Sequence, residues 1–160
     1  VQIARSLGAE GTGVCSTSKV EWVRSLGATD VIDYTREELS ARQRRYDVII
    51  DLAGSRAVST LRRVLTPTGT LVLLGGEGAG RWLGMRRQFW SKLVGLTTRQ
   101  KFRVPIALVN HADLVTLEGM LESGALIPAV AQRYPLSKVS SAIRALSSGH
   151  SRGKAVIAVE

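Results

Sequence analysis

Four consecutive residues, Ser16, Thr17, Ser18 and Lys19, place three hydroxyls beside one ammonium. Hydroxyls bond phosphate oxygens and a lysine supplies the compensating charge, so this run is suited to holding a phosphate group. The plainer reading is that Ser18 caps a helix and Lys19 faces water. Small residues recur where a ligand needs room: Ala53 and Gly54 after one apolar run, Gly75 and Gly76 after another. Gly75, Gly76, Gly78 and Gly80 do not have G-x-G-x-x-G spacing, so they read as a turn beside a ligand and not as a phosphate loop. The single cysteine, Cys15, can form neither an internal disulfide nor a zinc site by itself, and it points to a reducing cytoplasm. His111 and His150 have no evident partner, and Asp33, Asp47 and Asp51 flank strands, where turn and packing roles are common.

The elements that must position these residues follow from the apolar pattern. Val1, Ile3, Ala4 and Leu7 have helical spacing up to Gly8, with no cap before them, so the sequence opens inside an element. Glu10 to Ser16 reads as a strand. Ser18 with Glu21, and Thr35 with Glu38, have capping-box spacing and predict two helices, the second polar and running toward Arg44. Between them Val31 to Asp33 forms a short strand. Tyr46 to Asp51 and Leu71 to Leu74 are apolar without alternation, as in strands covered on both faces, and a helix from Ser55 bears Val58, Leu61, Val64 and Leu65 before a turn at Pro67 and Gly69. Residues from Gly78 to Val109 are basic and lack a clean period. Asn110 caps a further helix that Gly124 stops; a strand at Ile127 to Val130, a helix from Ser137 and a last strand at Lys154 to Val159 complete the chain.

Strands and helices in this alternation predict one α/β domain, a doubly wound parallel sheet with helices on both faces. Ligands of such sheets sit outside the carboxyl ends of the strands, which singles out Ser16, Thr17, Lys19, Tyr34, Ala53, Gly54, Gly75 and Gly76. Dinucleotide sites that take a free adenine ribose carry an acid after the second strand; here Ser16 to Lys19 stand there instead, which favours a 2′-phosphate and hence NADP(H) over NAD(H).

The 160 residues, 44% of them hydrophobic, suffice for one compact core, and no apolar run approaches a membrane span. The net charge of +9 favours anionic ligands and raises nucleic-acid binding as an alternative, though no recognised nucleic-acid module is present. A methyltransferase-like sheet would want an acid where Ser16 stands.

The segment VQIARSLGAEGTGVCSTSKVEWVRSLGATDVIDYT closely resembles the first Rossmann helix, second strand and next helix of medium-chain dehydrogenases/reductases. YDVIIDLAG, LRRVLTPTGTLVLLGG and YPLSKVSSAIRALSSGHSRGKAVIAV are similar to later family segments, so the resemblance spans nearly the whole chain and is nearest to quinone-oxidoreductase-like alcohol dehydrogenases. It implies a Rossmann domain whose first strand and glycine loop, like a GroES-like catalytic domain, lie before Val1. The implied activity is hydride transfer between NAD(P)H and a carbonyl, enone, quinone or alcohol. Ser16 and Lys19 match 2′-phosphate contacts and Tyr34 a neighbour of the adenosine. Gly54, Gly75 and Gly76 would admit the cofactor, Phe102 would lie near the nicotinamide, and Lys154 would add positive charge. A homodimer through the sheet edge around Arg99 to Val104 is implied, zinc is not, and no catalytic residue is assigned. The competing expectation is a noncatalytic Rossmann remnant or dimerisation fragment.

Overall fold

The computed structural model describes residues 1–74, 99–105, 109–147 and 153–159. Gly75 and Gly76, His150, and most of the basic stretch after Gly78 lie outside them. The chain divides into two compact units, 1–37 with 109–160 and 38–108.

In the first unit, α1 (Gln2–Ser6) ends at Gly8, whose φ of +79° suits glycine. β1 (Thr12–Cys15) lies parallel to β2 (Asp30–Asp33), joined through a 3₁₀ turn (Thr17–Lys19) and α2 (Val20–Ser25). The junction is sealed by Cys15, Val23 and Val31, with Val20, Trp22 and Ala28 packed around them. Gly13 is required by that packing, because a Cβ there would collide with Cγ1 of Val23. Farther along, α4 (His111–Glu122) starts at Asn110, whose Oδ1 accepts from the Asp113 amide at 2.9 Å, and ends before Gly124 at φ +73°. β6 (Val130–Pro135) and β7 (Lys154–Ala158) form a second parallel pair, with α5 (Val139–Ser147) between them in sequence. The Gln2 amide ties the two segments of this unit together, donating to the Ile127 carbonyl at 3.0 Å and accepting from its N–H at 2.7 Å.

In the second unit, β3 (Tyr46–Asp51), β4 (Leu65–Leu73) and β5 (Lys101–Arg103) form a parallel sheet in that order, and α3 (Val58–Arg63) links β3 to β4. Leu65 and Leu71 are fully buried at its centre.

Several local expectations change. Neither capping box forms: the turn after β1 has no side-chain cap, and in place of a polar helix toward Arg44 there is one 3₁₀ turn at Leu39–Ala41. The hydroxyl of Thr35 turns back to Asp33 instead, leaving Leu39 as the only buried residue of that turn. Val64 and Leu65 leave the helix, and the Pro67 to Gly69 turn becomes a bulge inside β4, where the pairing steps from Tyr46 with Leu65 to Val48 with Thr70. Val48 and Ile50 are each 57% exposed, so among the described residues of this unit one face of β3 is open. The sixth strand starts three residues later than Ile127, at Val130.

Candidate functional site

The carboxyl ends of β1 and β2 meet side by side, with Cys15 opposite Asp33 and the Tyr34 amide donating to the Cys15 carbonyl at 3.0 Å. Both chains turn immediately beyond this rung. Ser16, in extended conformation, opens the 3₁₀ turn and its carbonyl accepts from the Lys19 amide at 2.9 Å. Ser16, Thr17, Ser18, Lys19 and Tyr34 are therefore brought together at the end of the sheet where ligands of such folds bind. Tyr34 is 54% exposed, which leaves its ring open to stacking.

The three hydroxyls are not equivalent. The Oγ atoms of Ser16 and Ser18 lie 3.4 Å apart. Thr17 instead donates to Oδ2 of Asp33 at 2.5 Å and lies 2.8 Å from Oγ1 of Thr35. Thr35 donates to Oδ1 of Asp33 twice, from its amide at 3.0 Å and its hydroxyl at 2.6 Å. Thr17 thus positions the turn, while Ser16, Ser18 and Lys19 supply the groups suited to phosphate.

This carboxylate was assigned only a turn role in sequence terms, and the pairing of β1 with β2 makes it the anchor of both turns. Its side chain is 12% exposed, and hydrogen bonds from Thr17 and Thr35, aided by Arg36 at 3.6 Å, hold it below the usual aspartate range. Arg36 is 75% exposed and adds a second cation at this end of the sheet, a contribution that spacing alone did not single out. Beneath the turn, burial pushes the Cys15 thiol upward, the Asp33 charge adds to that shift, and Lys19 opposes it. Cys15 is accordingly a buried neutral packing group.

The remaining residues occupy other places. In the second unit, Ala53 and Gly54 follow β3; Gly54 has φ +66° and its amide donates to Oδ1 of Asp51 at 3.1 Å, a turn that a side chain would strain. Phe102 lies in the middle of β5, opposite Leu71, and is half-buried. Lys154 opens β7 in the first unit, its amide donating to the Ala129 carbonyl at 2.7 Å. Among the described residues no three His, Cys, Asp or Glu side chains gather as a metal would require, and no helix is long and apolar enough to cross a membrane.

Known proteins agree with this architecture. Residues 26–157 match the family model described as zinc-binding dehydrogenase. The chain is 31% identical to the mitochondrial NAD(P)H oxidoreductase of Bos taurus, matching over 99% of this chain and 44% of that protein. It is 32% identical to the chloroplastic NADPH-dependent alkenal/one oxidoreductase of Arabidopsis thaliana, over 89% of this chain and 32% of that one. The quinone oxidoreductase structure from Coxiella burnetii superposes with a TM-score of 0.78 at 25% identity, covering 100% of this chain and 48% of the other. A cobalt- and zinc-bound alcohol dehydrogenase from Pyrobaculum aerophilum gives 0.70 at 28%, covering 99% and 45%. The chain spans less than half the length of these relatives. With a parallel α/β fold, a polar turn at the ligand-binding end of the sheet and these matches, the chain belongs to the zinc-binding dehydrogenase family of the medium-chain dehydrogenase/reductase superfamily.

Proposed function

We propose that this chain is the cofactor-binding part of an NADP(H)-dependent oxidoreductase that moves hydride to or from a carbonyl, enone, quinone or alcohol. The observation that supports it is the Ser16 to Lys19 turn, placed beside Tyr34 at the carboxyl ends of β1 and β2. A free ribose site would carry an acid directly after β1; this turn offers hydroxyls and a cation. Asp33 stands on the neighbouring strand, but its carboxylate is already engaged by Thr17, Thr35 and Arg36.

The nicotinamide supplies the hydride chemistry when bound, and the protein supplies position and electrostatics. In this reading Lys19 and Ser16 hold the 2′-phosphate and Tyr34 covers the adenosine. Gly54, with Gly75 and Gly76, lets the backbone approach the cofactor, Phe102 borders the nicotinamide, and Lys154 adds positive charge. The NADPH dependence named for the Arabidopsis relative supports the same choice of cofactor.

Charge reversal at Lys19 tests the reading. Lys19→Glu removes a charge-assisted contact and adds a repulsive charge, so NADPH affinity should fall by about tenfold or more while NADH affinity holds or rises. Fluorescence titration with both cofactors measures the ratio. An unchanged NADPH to NADH preference would refute the assignment.

A further inference from the structure

The second unit carries a basic groove at the end of its sheet opposite Gly54. Arg45 immediately precedes β3 and Gln100 immediately precedes β5, so both stand at the amino ends of their strands. Arg62 and Arg63 close α3, Ser59 lies one helical turn before them, and Pro67 belongs to the bulge of β4. These six residues line an open groove of about 480 Å³.

Three arginines line it, and among the described residues no carboxylate lies within ion-pairing distance of any of them. Asp47, on β3, accepts from Thr66 at 3.2 Å and does not line the groove. Two arginines in a last helical turn are ordinary compensation for the helix dipole. That role does not account for Arg45, which comes from another element, or for the way the groove is held.

Gln100 is fixed by three bonds: Nε2 donates to the carbonyls of Arg62 at 3.1 Å and Thr66 at 3.2 Å, and Oε1 accepts from Nε of Arg62 at 3.2 Å. One edge of the Arg62 guanidinium is thereby held, and among the described residues no acceptor bonds its two terminal nitrogens. Arg45 is steadied by donating to the Leu65 carbonyl at 3.4 Å. Prepositioned arginines of this kind suit the bidentate geometry of phosphate, and a multiply charged anion would offset their mutual repulsion.

We infer that this groove is a second anion site, separate from the dinucleotide turn, which takes a compact molecule bearing phosphate groups. Pyrophosphate is the probe. Titrated into the 160-residue chain at constant ionic strength, it should shift the Gln100 side-chain amide resonance along a saturable curve. Arg63→Gln and Arg45→Gln, both at exposed positions, should each weaken that response by about tenfold. Lys19→Glu should leave it unchanged, which separates this site from the proposed cofactor turn. The inference is overturned by a drift that chloride reproduces, or by saturation that Lys19→Glu abolishes and both arginine variants retain. Single-stranded DNA that binds more tightly in proportion to its length would assign the groove to nucleic acid instead and equally overturn it.

Discussion

Replacing Gly13 by Ala tests whether α2 is seated on β1 as closely as the structure requires. Gly13 does not have a positive φ, so alanine is conformationally allowed and, by restricting the unfolded chain, would by itself stabilise by about 0.4–1 kcal/mol. Against this, the new Cβ collides with Cγ1 of Val23. Val23 cannot swing aside easily: it is β-branched, sits in a helix with one strongly preferred rotamer, and is buried against Cys15 and Val31. The helix must lift instead, at an overpacking cost of about 1–3 kcal/mol. The net loss should be about 1–2 kcal/mol, lowering the melting temperature by roughly 2–4 °C for each kcal/mol. Val23→Ala alone deletes two methyl groups worth about 0.8 kcal/mol each before any cavity term. In the double variant the added methyl occupies part of that space, so the combined loss should fall short of the sum by about 1 kcal/mol. Urea denaturation of the four proteins measures the cycle. A Gly13→Ala variant within about 0.5 kcal/mol of wild type, or an additive cycle, would refute the close packing of α2 on β1. On the proposed reading that Lys19, which immediately precedes α2, holds the cofactor phosphate, Gly13→Ala should also weaken NADPH binding.

Two further outcomes follow from polar groups. The carboxylate of Asp33 titrates below its ordinary value of 3.8, so its stabilising contribution is complete above that value and is lost as pH falls through the lower folded one. Asp33→Asn should therefore be least stable relative to wild type at neutral pH and converge with it in acid; a gap that widens on acidification would reverse the sign and defeat the reasoning. The Tyr46 hydroxyl is buried and has no hydrogen-bond partner among the described residues. Tyr46→Phe removes that unsatisfied group and should leave stability unchanged or raise it by about 1 kcal/mol in thermal denaturation, and a clear loss would show that the hydroxyl has a partner.

Local patterns in the sequence were sufficient wherever a residue's neighbours along the chain decide its state. The apolar run Tyr46 to Asp51 coincides with β3, Asn110 caps α4 through the amide three residues on, and Gly8, Gly54 and Gly124 occupy positive-φ turns. The place of Ser16 to Lys19 directly after a strand was legible because it is set by neighbours along the chain. What the sequence could not decide depended on groups distant along the chain. Thr35 and Glu38 have helix-capping spacing, yet the Thr35 hydroxyl bonds Asp33, and the pairing of β2 with β1 brings Thr17 to the same carboxylate. Pro67 and Gly69 read as a turn, whereas pairing with β3 continues β4 through them as a bulge. The groove around Arg62 joins residues from the beginnings of two strands, the end of a helix and a bulge, a juxtaposition created only when the parallel sheet forms. The chain itself determined elements, turns and the chemistry of single residues, because these are set by short-range backbone and side-chain preferences. Tertiary structure decided which hydroxyl remains available, which carboxylate is engaged and which arginines meet, because strand pairing alone brings those distant groups within hydrogen-bonding reach.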